Sequence, residues 1–253
     1  MRVQRSSIPF GTILLLLTLA FPAYSQKIGG DLESPQTAET PVDENKTAAK
    51  RPEEDYRLRR GEKELVFVPA FAPMQPLFFS GHKEYDTSNR SFGMLNVQVA
   101  RTIGTKGPVT YQYFFEFTPL AIAFNNEVRN PHFASVNSTP AEPETVRRNA
   151  YGAGFQPANF RFLFRPNKRI KPFIQVGAGM MFFNQRMPVP EATSYNFTGD
   201  FGGGLHILTR NEDSRRAMTF GFRYFHMSNF NTSDFNPGYN AAIFYVGYSF
   251  FQK

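Results

Sequence analysis

From Lys63 onward, apolar and polar residues alternate in runs whose length suits tilted strands crossing a bilayer, about 9 to 11 residues each. Eight runs can be placed, beginning near Lys63, Met94, Pro108, Gly154, Pro172, Ser194, Ala217 and Ala241. In the third, Val109, Tyr111, Tyr113, Phe115 and Phe117 share one parity, while Thr110, Gln112, Glu116 and Thr118 share the other. Successive side chains on a strand point to opposite faces, so this segment has an aromatic side and a polar side. The sixth run repeats the pattern, with Tyr195, Phe197, Phe201, Leu205 and Ile207 set against Asn196, Thr198, Asp200 and His206. The pattern predicts an all-β fold, an eight-stranded antiparallel transmembrane barrel with its aromatic face towards lipid. Glu116, Arg161, Asp200 and Arg223 fall inside, where they are expected to pair within a filled lumen rather than line a channel. The first run is the weakest, because Pro69 and Pro73 cannot donate to a ladder.

The connections alternate in length, as short periplasmic turns and longer external loops require. The expected turns are Thr102 to Gly107, Arg165 to Lys171 and Thr209 to Arg216. The expected external segments are Met74 to Gly93, Ala121 to Ala153, Asn184 to Thr193 and Asn229 to Asn240, each longer than any turn.

Before the first strand the chain changes character. Arg2 and Arg5, the apolar run Ile13 to Phe21, and Ala23-Tyr24-Ser25 read as a signal peptide over residues 1–25, cleaved near Ser25. Residues 26–62 are rich in Glu, Asp, Thr, Pro and Lys, a composition that predicts a disordered periplasmic tail. The barrel is then expected over residues 63–253.

Composition supports this picture. Aromatic residues make up 16% of the chain, with 29 Phe and 11 Tyr, although mean hydropathy is only −0.38. Short amphipathic strands with aromatic girdles account for that combination. No Cys or Trp is present, so neither a disulfide framework nor a thiolate metal site is expected. The formal charge of +7 fits an anionic membrane surface, and export argues against nucleic acid as a partner. His82, His132 and His206 lie on separate segments without ligand-like spacing, so neither a metal nor another cofactor is expected. Gly177, Gly179, Gly202, Gly203 and Gly204 lie within strands and lack a following Lys-Ser or Lys-Thr pair, which favours relief of crowding over a phosphate loop.

The seventh run carries the candidate chemistry. Met218, Phe220, Phe222 and Tyr224 set its outward parity, and His226 and Ser228 continue it to the external end. Two residues apart on one face, their Cα atoms are separated by about 6.6 Å. A Ser hydroxyl becomes a good nucleophile when a base takes its proton, and the base works best when a third group fixes its tautomer. Asn240 has outward parity on the next strand and can lie beside His226.

The segment Phe225-His226-Met227-Ser228-Asn229, then Asn236-Pro237-Gly238 and the final strand ending Val246-Gly247-Tyr248-Ser249-Phe250, resembles the lipid A 3-O-deacylase (PagL) family, also called acyloxyacyl hydrolases. Gly154-Phe155-Gln156-Pro157, Phe160-Arg161-Phe162 and Val176-Gly177-Ala178-Gly179 add to the resemblance, which covers roughly Gly154 to Phe250. It implies a bacterial outer-membrane serine esterase that removes the 3-position acyl chain from lipid A of lipopolysaccharide in the outer leaflet. By the same resemblance His226 is the general base, Ser228 the nucleophile and Asn229 the oxyanion donor, and the protein forms a homodimer. The family's acidic residue falls at Asn240 here. An Asn can fix the imidazole tautomer but cannot offset its positive charge, and Asp234 is a substitute acid candidate in the same loop. The competing reading is a non-catalytic outer-membrane barrel with a structural or adhesive role, motivated by the long external segments and the missing carboxylate. A small-molecule channel is a third reading.

Overall fold

The computed structural model describes residues 56–73, 89–133, 143–209 and 215–252. The expected signal peptide, most of the expected tail and His82 lie outside the described residues.

Eight strands run in chain order: β1 (Lys63–Ala72), β2 (Ser91–Lys106), β3 (Val109–Arg129), β4 (Thr145–Phe164), β5 (Ile170–Met187), β6 (Thr193–Leu208), β7 (Arg216–Ser228) and β8 (Tyr239–Gln252). Each pairs antiparallel with its chain neighbours, and β8 returns to pair with β1, closing the barrel. Closure removes both sheet edges and satisfies backbone hydrogen bonding without water, the condition for crossing lipid with strands. Pro69 does not break β1. It keeps a register partner, Leu95, on β2, and the ladder towards β8 is interrupted only at Val68 and Pro69.

The alternation seen in the sequence becomes inside and outside. Phe67, Phe115, Phe117, Phe201, Phe220 and Phe244 are exposed, while Gln98, Gln112, Glu116, Arg161, Gln175 and Arg223 are buried. This inversion of the usual soluble arrangement makes the outer wall a lipid-facing surface.

The lumen is filled on two levels. At mid-height Arg223 Nη1 lies 2.9 Å from Glu116 Oε1 and 3.6 Å from Asp200 Oδ2. Gln98 donates to Glu116 at 2.7 Å and accepts from Arg161 at 2.8 Å, so Arg161 joins the carboxylates through an amide rather than directly. Its guanidinium lies over Phe114 and Phe173, at 4.9 and 5.2 Å from their ring centroids. Crowding explains the strand glycines: a Cβ on Gly177 would lie 2.1 Å from Asn159 Oδ1. Towards the loop end the interior becomes apolar. Phe92 stacks on Phe225 at 5.9 Å and packs against Tyr239 at 5.6 Å and Phe183 at 6.4 Å.

Three expectations need correction. Residues 56–62 belong with the barrel rather than with a disordered tail. Leu58 is buried in the core, Glu62 O and Gly61 N pair with Thr102, and Glu62 forms a 2.8 Å ion pair with Arg215. Second, β3 and β4 extend much further than the apolar alternation indicates. The hairpin continues through Glu127 paired with Arg147 to Arg129 paired with Thr145, past register shifts at Thr118/Ala121 and Ala123/Asn126. Polar residues occupy both faces there, and pairing continues without the contrast that lipid imposes. Third, β5 reaches Met187, so the 188–192 connection is shorter than the 209–215 turn.

Candidate active site

β7 begins at the turn end and finishes at the loop end. Its Phe220, Phe222 and Tyr224 keep one side of the strand on the outer wall, and His226 and Ser228 follow on that side. Inward-facing Phe225 and Met227 are almost wholly buried, which fixes the strand and therefore the outward direction of the two polar side chains.

His226 stands directly opposite Asn240 in the β7–β8 ladder. The hydrogen bond expected between them is present, with His226 Nδ1 2.7 Å from Asn240 Oδ1. An amide oxygen only accepts, so Nδ1 carries the proton and Nε2 keeps the lone pair of a base. The ring is exposed, whereas Asn240 is only 2% exposed despite its outward parity. The hydrogen bond to this buried amide orients the imidazole.

Ser228, one strand period beyond His226, is half-buried and opposite Phe197 on β6. Among the described residues its hydroxyl makes no hydrogen bond, so the Ser228–His226 contact is not formed in this conformation. Apo sites often leave such contacts open until substrate arrives.

Asn229 organises the loop that follows. Its Nδ2 donates to Ser233 Oγ at 2.6 Å and to the Phe235 carbonyl at 2.8 Å, and its Oδ1 accepts from Asn231 N at 3.0 Å. The Asn236 side chain accepts from Asn229 N at 3.0 Å and donates to Asn231 Oδ1 at 2.9 Å. Both amide N–H bonds of Asn229 are therefore committed to the loop rather than directed at a position beside Ser228. Asp234 is exposed and makes no described bond, and the His226 nitrogen that an acid would hold is taken by Asn240. Asp234 is not brought to the site.

Three further positions come from cross-strand register. His226 faces Gly199 on β6, which has no side chain. Gly199 pairs with Ala178 on β5, and Ala178 with Ala158 on β4. These small outward residues floor a shallow trough leading away from His226. Phe197, Met180 and Phe155 form one bank, and Phe201, Val176 and Phe160 form the other. Phe230 lies over the first bank, its ring 5.8 Å from Phe197. Parity marks the β5 and β6 residues as outward, but on β4 Phe155 shares the outer face with Ala158 and Phe160 only because of the register shift between Phe155 and Ala158, and the common height of all these residues becomes visible only with the register.

The other described histidines have different surroundings. His206 is buried, with Nδ1 2.9 Å from Thr219 Oγ1 and Nε2 4.0 Å from Glu64 Oε1. His132 is an exposed loop residue. Among the described residues, no group of three or more His, Cys, Asp or Glu side chains is arranged to hold a metal.

The crystal structure of the outer membrane enzyme PagL aligns with a TM-score of 0.48 and 15% identity, covering 72% of this chain and 97% of that one. The solid-state NMR structure of outer membrane protein AlkL in DMPC bilayers gives a TM-score of 0.34 and 12% identity, covering 88% and 97%. No curated protein sequence matches. The family model described as lipid A 3-O-deacylase (PagL) matches residues 114–249, a span that includes most of β3, β4 to β7, the loop after Ser228 and most of β8. The chain therefore belongs to the lipid A 3-O-deacylase (PagL) family.

Proposed function

We propose that this protein is an outer-membrane serine esterase that hydrolyses the ester-linked acyl chain at the 3-position of lipid A. The observation that carries the reading is the outward His226–Asn240 hydrogen bond, one strand period from Ser228 at the loop end of a lipid-facing wall.

Lipid A diffusing in the outer leaflet meets this wall laterally, without leaving the membrane. The acyl chain lies along the Gly199–Ala178–Ala158 trough, and its carbonyl approaches Ser228. A rotation of Ser228 brings its Oγ to His226 Nε2. The Oγ attacks the carbonyl carbon as its proton passes to Nε2, giving a tetrahedral oxyanion and an imidazolium. Collapse breaks the bond to the sugar oxygen, which takes the proton from Nε2. Water then attacks the acyl-serine, again through His226, and the fatty acid leaves.

Asn240 keeps Nδ1 protonated throughout, but a neutral amide offsets little of the imidazolium charge. Asn229 reaches the oxyanion only by exchanging one of its loop acceptors for it, so its oxyanion role includes a loop adjustment.

The test uses purified lipopolysaccharide and the full barrel. Fatty acid release by the wild type and its loss in Ser228→Ala, with both proteins folded and heat-modifiable, are the expected results. Undiminished release by Ser228→Ala removes Ser228 from the mechanism. The neutral Asn240 favours the second reading, a non-catalytic barrel, and identical lipid A mass spectra from cells with and without the protein would support that alternative.

A further inference from the structure

Phe230 combines three features that the esterase mechanism does not use. It has a left-handed backbone, φ 56°, followed by Asn231 at φ 59°. It is 77% exposed, more than any other large apolar residue in the described chain. Its ring packs edge-on against Phe197, which is the register partner of Ser228.

Left-handed backbone is disfavoured for a bulky side chain, whereas Asn and Gly adopt it at little cost. A loop that needed only the turn is better served by either. Asn231 meets that expectation; Phe230 does not. The conformation is held by the Asn229 and Asn236 bonds, so the ring is presented on a braced loop. Strained residues kept in place by their surroundings are concentrated at ligand contacts.

The ring's placement decides what it contacts. Phe197 and Phe230 together form an apolar wall beside Ser228, at the start of the trough. An ester held for attack at Ser228 places the first methylenes of its acyl chain against that wall.

We infer that Phe230 is a specificity residue that binds the acyl segment next to the scissile carbonyl and favours chains that carry methylenes there over an acetyl group. This inference rests on the esterase reading. The two aromatic rings supply offset contact to methylenes, and discrimination by apolar contact is about tenfold or more for each group lost. The competing account, an interfacial aromatic anchor, predicts an effect on all substrates alike.

The experiment measures kcat and KM of the full-length protein in detergent on p-nitrophenyl esters from acetate to tetradecanoate, with fatty acid release from lipopolysaccharide measured in parallel. Phe230→Ala is expected to leave the acetate ester, which has no methylene for the ring to contact, within about twofold and to raise KM for the butanoate and longer esters roughly tenfold. Phe230→Leu is expected to recover most of that loss. Phe230→Gly keeps the left-handed turn without the ring and is expected to match Phe230→Ala, which separates loss of the ring from distortion of the loop. A uniform change across chain lengths, or no change, overturns the inference while leaving the esterase intact. A wild-type protein inactive on both lipopolysaccharide and esters overturns the esterase reading itself.

Discussion

Asn240 accepts a 2.7 Å hydrogen bond from His226 on the outer wall of the barrel, across a ladder position where the two residues are direct partners. The bond sets the tautomer but brings no counter-charge. Asn240→Ala is expected to lower kcat roughly 3- to 10-fold, the worth of one neutral hydrogen bond. Asn240→Asp supplies a carboxylate of the same shape. Charge-assisted bonds are roughly twice as strong as neutral ones, so kcat is expected to rise about tenfold. The same change buries a charge and should lower the melting temperature. Steady-state kinetics beside thermal melts measure both effects, and an Asp variant with unchanged kcat would show that the imidazolium is not rate-determining.

Asn229 and Asn236 brace the loop together, so their variants should behave alike. Asn229→Ala and Asn236→Ala are each expected to reduce kcat about 100-fold, on the scale of a lost oxyanion contact, while barrel stability stays near wild type. Limited proteolysis should show a cleavable 229–238 loop in both. A loss confined to Asn229→Ala would instead give its amide a direct part in holding the oxyanion.

The parts of this architecture legible in the sequence are those enforced by lipid. Phe220, Phe222 and Tyr224 must face outward, and period two then carries His226 and Ser228 with them. Asn240 could be placed because β7 and β8 are hairpin neighbours. The reach of β3 to Arg129 could not be read, since above the membrane Glu127 and Arg147 pair in a stretch where polar residues occupy both faces and Val128 with Val146 is a lone apolar pair. Leu58 is an isolated apolar residue in a polar stretch, and its burial depends on a barrel end that only the folded chain creates. Alternation gives Phe197 a face but not a height, and Gly199 has no side chain to mark either. Their alignment with His226 and Ser228 depends on the β6–β7 register, which alternation leaves undetermined by any even number of residues.

The lumen gives a stability prediction. Glu116 accepts from both Arg223 and Gln98, so Glu116→Ala leaves a buried guanidinium with Asp200 at 3.6 Å as its remaining carboxylate. Breaking a buried pair in this way costs about 3 to 5 kcal/mol. Replacing both partners with apolar residues is close to neutral in other proteins, so Glu116→Leu with Arg223→Met should recover much of the loss. Urea unfolding in detergent, read by gel mobility, measures the difference. A double variant no better than Glu116→Ala would mean that the wider network through Gln98 and Asp200, rather than the pair, carries the stability.

Gly199 tests the trough independently of the nucleophile. A Cβ there would meet nothing closer than Gly177 O at 4.0 Å, so Gly199→Ala is expected to fold and retain wild-type activity. A longer side chain points outward between Phe197 and Phe201, opposite His226, and fills the start of the trough. Gly199→Leu adds apolar surface to a lipid-facing wall, which leaves the barrel stable, yet it occupies the path assigned to the acyl chain. Its kcat/KM on lipopolysaccharide is expected to fall about 100-fold, on the scale of one to three kcal/mol for a misfit group in an apolar site. The acetate ester, too short to enter the trough, should be affected much less. Equal losses on both substrates would place the obstruction at His226 itself, and full activity on lipopolysaccharide would send the acyl chain along another route over the barrel wall.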